Sequence, residues 1–279
     1  MRIHTLITPG LDTPLRVAWL DLPGNATNHA PRVFLHGLGS SSIASFPEHA
    51  LQKPQDAPRA LLIDLPGFGY SRNATETWSF SMEDQADLVA TILRSLGIGP
   101  ATIVGHSMGG SIAIALATRH PEVVATLIVA EPNLDPGVGT LSKHIASQSE
   151  AFFLARGYGR LVHATANQAD RGDMGAAIYL PILQQALPVA LHRAAVSLLA
   201  DRTPTFREQV QAITRRIPTT FVYGDRTPDL TGLDALAASG VTLVEIPDAG
   251  HVMMDDNPEA FATALLTAEA RTPPASHLP

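Results

Sequence analysis

Gly105-His106-Ser107-Met108-Gly109-Gly110, set directly after the apolar run Ala101-Thr102-Ile103-Val104, decides how the rest of the chain is read. The run has the length and apolar content of a buried strand, and the Ala/Ile/Leu-rich stretch from Met108 to about His120 reads as a helix. Between them, the G-x-S-x-G pattern predicts a sharp turn that holds Ser107 in a strained backbone conformation. Gly105 and Gly109 omit the side chains that would clash in such a turn, and Gly110 lets the helix approach neighbouring strands. A serine so placed presents its Oγ at a helix N-terminus, where backbone N–H groups and the helix dipole favour developing negative charge.

A serine hydroxyl is inert until a base takes its proton, and the base is usually a histidine oriented by a carboxylate. Val241–Ile246 reads as a late strand, followed by the loop Pro247-Asp248-Ala249-Gly250-His251 and a helix beginning around Asn257-Pro258-Glu259. His251 therefore occupies a loop after a strand, downstream of the serine. Upstream, Arg32-Val33-Phe34-Leu35 is a strand leading into His36-Gly37-Leu38-Gly39. This glycine-rich loop can offer the Leu38 N–H beside that of Met108, and two such donors make an oxyanion hole.

Four motifs thus stand in order: His36-Gly37 after a third strand, Asp64-Leu65-Pro66-Gly67-Phe68-Gly69-Tyr70-Ser71 after a fourth, the Ser107 turn after a fifth, and Gly250-His251 after an eighth. With these motifs the chain resembles the α/β-hydrolase superfamily over nearly its whole length. The resemblance implies an α/β-hydrolase fold: a mostly parallel eight-stranded sheet with helices on both faces and an inserted helical cap. Many chemistries share that fold, so it does not fix the substrate.

The resemblance leaves the carboxylate open. Most family members carry the acid as the last residue of a Gly-x-x-Asp pattern after the seventh strand. Here Thr219–Tyr223 is followed by Gly224-Asp225-Arg226-Thr227, so a threonine fills that position. Asp225 comes two residues early and Asp229 two residues late. Some members place the acid after the sixth strand instead, and here Ala125–Ala130 runs directly into Glu131. A carboxylate ending a wholly apolar strand is costly unless it is paired, and orienting His251 would pair it. Glu131 is favoured over Asp225; the plainer alternative is a strand-end carboxylate capping the Pro132-Asn133 turn.

Other candidates have plainer readings. His106 adjoins the nucleophile, but adjacent side chains diverge on a turn, so it reads as a packed, hydrogen-bonded histidine. His36 reads as a brace for the oxyanion loop, Asp64 as a structural loop holder, and Arg226 as a solvent-facing turn residue or a partner for Asp225 or Asp229. The 279 residues are 45% apolar and 16% charged, which suits a parallel sheet covered on both faces. A net charge of −7 without Lys/Arg runs argues against nucleic acid and anionic membranes. Zero cysteines exclude disulfides and thiolate chemistry, and the scattered histidines imply neither metal nor cofactor. Thr8-Pro9-Gly10 interrupts the N-terminus before a signal-peptide core could form, so a soluble cytoplasmic protein is expected. Oligomeric state is left open, a homo-oligomer included.

Leu15–Leu22 and Arg2–Ile7 read as an opening meander, Ser81-Met82-Glu83-Asp84 as a helix start, and the proline-rich 272–279 stretch as a loose tail. After Glu131 the strand–helix alternation lapses. Residues 1–133 and 207–279 are therefore expected to form the core, with 134–206 as a helical cap and Arg207–Arg216 as the helix returning to the sheet. The cap is apolar around Phe152-Phe153-Leu154, Tyr158 and Ile178–Leu183. Singly these residues read as cap packing; together they would roof the serine. Gly37, Phe153, Tyr158 and Tyr179 are the expected substrate contacts, facing a hydrophobic small-molecule ester or lactone. The sequence thus predicts a capped serine hydrolase working through an acyl-enzyme, with Ser107, His251 and Glu131 catalytic and Leu38 and Met108 in the oxyanion hole. Alternatives are a C–C bond hydrolase, a hydroxynitrile lyase or a cofactor-free haloperoxidase on the same residues, or a ligand sensor without turnover.

Overall fold

The computed structural model describes residues 2–6, 15–25, 29–46, 57–74, 76–228 and 230–270. Ile7, the Thr8-Pro9-Gly10 break, Asp229 and the 272–279 tail lie outside them. Eight strands form one sheet: β1 (Arg2–Leu6), β2 (Leu15–Leu22), β3 (Arg32–Leu35), β4 (Ala60–Asp64), β5 (Ala101–His106), β6 (Val124–Ala130), β7 (Thr219–Gly224) and β8 (Thr242–Ile246). Their order is β1-β2-β4-β3-β5-β6-β7-β8, with β2 antiparallel to both neighbours and every later pairing parallel. This is the expected eight-stranded α/β-hydrolase sheet.

The central strands are apolar throughout because both of their faces are covered: β3, β4 and β6 are buried at every position. Arg32 tolerates burial because its guanidinium makes two 2.6 Å hydrogen bonds to Glu269, at the end of the helix Pro258–Glu269. Registers align the C-terminal ends of the central strands: Leu35 lies beside Gly105, and His106 beside Ala130. In an open parallel sheet the crevice beyond these ends is where ligands bind.

The turn after β5 has the expected strain. Ser107 sits at φ 51°, ψ −118°, and the helix Met108–Arg119 starts directly after it. A Cβ on Gly105 would lie 2.4 Å from the Gly109 carbonyl oxygen, and one on Gly109 would lie 2.2 Å from that of Leu35. Only glycine fits at either position. The preceding helix, Met82–Ser95, begins as expected, with the Ser81 hydroxyl accepting the Asp84 N–H at 3.0 Å.

Between β6 and β7 lie the helices Thr140–Ala146, Tyr158–Asp170, Met174–Leu183 and Pro188–Leu199, with a short helix and a π-turn spanning Glu150–Gly157. The chain bends by 116° between the Met174 and Pro188 helices. The returning helix is Phe206–Ile213, not Arg207–Arg216: the Thr205–Glu208 capping box starts it one residue earlier, and it ends three residues sooner. Among the described residues, no single helix is long and apolar enough to cross a membrane.

Candidate active site

Three strand ends converge on one cluster. Ser107 follows β5 and is tied to β6 by its N–H, which donates to the Ala130 carbonyl at 2.9 Å. Glu131 follows β6 in the left-handed region at φ 43°, and its N–H donates to Val222 of β7 at 3.1 Å. A non-glycine residue there is held by its surroundings. Its side chain is 3% exposed, yet both oxygens are satisfied: Oε1 accepts the Gly224 N–H at 2.9 Å, and Oε2 receives His251 Nδ1 at 2.7 Å. Burial alone would raise the Glu131 pKa, but the His251 and Gly224 bonds outweigh it and hold the carboxyl below its ordinary value, with Thr227 adding to the lowering.

His251 is half exposed, so it can meet a ligand from solvent. Its Nδ1 faces a carboxylate, which assigns the Nδ1–H tautomer and leaves the Nε2 lone pair for proton transfer. The loop that carries it is pinned along its length. Asn257 Nδ2 donates to the Pro247 carbonyl at 2.9 Å, and the Asp225 carboxylate accepts the Asp248 and Ala249 N–H groups, each at 3.1 Å. Asp256 accepts the Gly250 N–H at 2.7 Å, and Arg226 donates to the Asp248 carbonyl. Asp225 therefore holds the loop, and the carboxylate on the His251 ring is that of Glu131.

The opposite wall is His36-Gly37-Leu38-Gly39. The Leu65 N–H donates to His36 Nε2 at 3.0 Å, so the proton sits on Nδ1, which donates to the Gly37 carbonyl at 2.8 Å. Burial lowers the His36 pKa, which suits this neutral brace. Asp64 accepts from the Ser41 hydroxyl at 2.8 Å and from the Tyr70 N–H at 2.9 Å, tying the loops after β3 and β4 together. Leu38 and Met108 are both buried, and Met108 opens its helix, so its N–H has no intrahelical acceptor. A Cβ on Gly37 would lie 3.4 Å from the Ser107 Cβ, which places this loop against the serine.

The insertion meets this wall through one expected residue: the Tyr179 hydroxyl donates to the Leu38 carbonyl at 3.0 Å. Its pKa is raised by burial, so it stays a donor. Phe153 is fully buried and packs edge-on against Tyr158, at 6.4 Å between ring centroids, and at a tilt against His192, at 5.5 Å. Tyr158 spends its hydroxyl on the Leu183 carbonyl at 3.0 Å. Phe153 and Tyr158 are thus placed in the packing of the insertion itself.

Residues 33–264 match the sequence profile of the alpha/beta hydrolase family. The chain belongs to this family. The hydrolase is 27% identical over 269 residues to the sn-1-specific diacylglycerol lipase ABHD11 of Mus musculus, covering 90% of the chain and 84% of that protein. It is 34% identical over 144 residues to a 2-hydroxy-6-oxononadienedioate/2-hydroxy-6-oxononatrienedioate hydrolase of Burkholderia vietnamiensis, covering 51% of the chain and 47% of that enzyme. That match spans about half of the relative's length. Among solved structures, an esterase from Thermogutta terrifontis superposes with a TM-score of 0.76 at 22% identity, over 96% of the hydrolase and 100% of the esterase. The enol-lactonase of Burkholderia xenovorans superposes with a TM-score of 0.74 at 19% identity, over 92% and 97%. Both likenesses carry the fold. Family and relatives together make the chain a hydrolytic enzyme.

Several residues around the hydrolase site were not legible beforehand. Asn257 announced a helix start; that it and Asp256 also hold the His251 loop depends on the path of the chain. Thr227 looked like a lost acid, yet its buried hydroxyl lies beside Glu131 without a hydrogen bond of full geometry. Tyr179 was expected as a substrate contact in an apolar stretch, but its bond to the Leu38 carbonyl was not.

Proposed function

We propose that this hydrolase cleaves a carboxylic ester or lactone of a hydrophobic small molecule through an acyl-enzyme on Ser107. The supporting observation is the 2.7 Å bond between His251 and the buried Glu131 carboxylate, beside a serine held at φ 51°. In this reading His251 Nε2 takes the Ser107 proton as Oγ attacks the carbonyl carbon, and Glu131 stabilises the resulting imidazolium. The Leu38 and Met108 N–H groups bind the oxyanion. The C–O bond to the leaving alcohol then breaks as His251 returns its proton to that oxygen. Water, deprotonated by His251, attacks the acyl carbon and releases the acid and Ser107. With a lactone the alcohol stays attached, and the product is one hydroxy acid.

Residues 134–206 act as the cap in this reading. Gly37 and Tyr179 line the substrate space next to the serine, whereas Phe153 and Tyr158 shape it through the packing of the cap. The Burkholderia vietnamiensis relative supports a second reading, C–C bond hydrolysis, in which the same residues cleave a dienedioate.

Intact-mass analysis after fluorophosphonate treatment tests the first step. One adduct on the wild type, absent in Ser107→Ala and much slower to form in Glu131→Gln, is expected. No adduct on the wild type would sink the proposal. Turnover of aryl esters and lactones, set against that of a 2-hydroxy-6-oxo dienedioate, then separates the two readings.

A further inference from the structure

We infer that His106 is a positioning residue for the base: its Nε2–H grips the main-chain carbonyl of His251 and fixes that imidazole between Glu131 and Ser107. The inference rests on the assignment of His251 as the base. His106 is the last residue of β5 and the immediate neighbour of Ser107. Because successive side chains diverge at the turn, its ring leaves the serine and reaches the loop after β8. There Nε2 lies 2.8 Å from the His251 carbonyl oxygen. A carbonyl only accepts, so Nε2 must carry the proton.

The ring is wedged between both loops of the site. It stands 4.8 Å from the His251 ring, centroid to centroid, at a tilt of 46°. A Cβ on Gly37 would lie 3.0 Å from His106 Nδ1. Asp225, Asp256, Asn257 and Arg226 hold residues 247–250, and of these anchors His106 is the one that grips residue 251 itself.

A clamp in this position must not compete for the proton that His251 moves. Burial, followed by the charge that His251 acquires, lowers the His106 pKa to about 3; Glu131 opposes this and His36 adds to it. His106 therefore stays neutral while its neighbour cycles. One residue between β5 and the elbow thereby ties the position of the base to that of the nucleophile.

The test compares His106→Leu, which removes the donor, with His106→Gln, whose Nε2 can replace it. Three quantities are read on the full chain: the second-order rate of fluorophosphonate labelling, melting temperature, and the downfield proton resonance of the His251 Nδ1–H, assigned by its loss in His251→Ala. His106→Leu is expected to slow labelling by up to about 100-fold, the scale of a misplacement near 1 Å. It should also broaden or shift the resonance, and His106→Gln should restore most of both. If His106→Leu does not fold, His106→Asn, with its donor one bond short, takes its place. Wild-type labelling and an unchanged resonance in the Leu variant would overturn the clamp while leaving the Ser107 assignment standing. Equal losses in Leu and Gln that track melting temperature would reduce His106 to a packing residue and also overturn it. A wild type that never labels would defeat the proposed function, and the resonance comparison would still decide whether His106 holds His251.

Discussion

The helices Met108–Arg119 and Met174–Leu183 are both rich in apolar residues, the second more so, and have opposite surroundings. Every residue from Met108 to Ala117 is buried, enclosed by β5, β6 and the helices Met82–Ser95 and Phe206–Ile213. In the second helix only Ala176 and Leu183 are buried, while Met174 is 70% and Ile178 45% exposed. Apolar content therefore places a segment in the protein without saying which side of it faces inward. The difference separates two jobs. Ser107 and Glu131 stand at the ends of buried strands, where a strained φ can persist. The insertion is tied to the core by Tyr179 to Leu38, by Arg193 to the carbonyls of Glu76 and Trp78 and by the Leu187 N–H to Gly67, while the outer face of Met174–Leu183 stays exposed and free to vary.

The largest effect expected is at the confined site. Glu131→Gln should lower kcat by about 10³- to 10⁴-fold, as loss of a histidine-orienting carboxylate does elsewhere. Thr227→Asp in that background places a carboxylate beside the same ring and should recover part of the loss; stopped-flow ester turnover measures both. Full activity in Glu131→Gln would break the contrast. Next, Gly109→Ala forces a Cβ to within 2.2 Å of the Leu35 carbonyl oxygen, which lies on rigid backbone. A destabilisation of about 3 kcal/mol is expected in urea titrations.

At the junction of the two regions, Tyr179→Phe removes the hydroxyl that bonds the Leu38 carbonyl. It should cost about 1 kcal/mol of transition-state stabilisation, or about fivefold in kcat, with little change in urea midpoint. On the free face, Met174→Ser and Ile178→Ser should each stay within about 0.5 kcal/mol of wild type. A loss of several kcal/mol there would show that the face is covered in solution.

Acid sharpens the same contrast. His36 and His106 have lowered pKa values in the folded chain, so below their ordinary 6.5 the unfolded chain binds more protons and stability falls with pH. The lowered Glu131 carboxyl acts in the same direction: its contribution is present above 4.5 and is lost as pH falls through the lowered folded value. Urea midpoints should therefore decline from pH 7 to 4, and less steeply in His106→Leu. A decline of wild-type slope in that variant would remove His106 from the account.

What the sequence alone determined is local. The Gly105–Gly110 turn, the strand boundaries at Arg32 and Leu35, and the helix starts at Ser81 and Asn257 are encoded within a few residues by sterics, capping and periodicity, and they stand where the pattern put them. Ordered motifs extended this to the α/β-hydrolase sheet. Glu131 was legible as a carboxylate that needed a partner, with His251 the partner expected. The sequence favoured it over Asp225 only through the cost of an unpaired carboxylate on an apolar strand, whereas the contacts that separate the two join distant segments: Glu131 with His251, 120 positions away, and Asp225 with the backbone of residues 248 and 249. The same holds for His106 on the His251 carbonyl and Tyr179 on that of Leu38. Apolar patterning says that a residue prefers to leave water, and only the packed chain decides which polar atom meets it there.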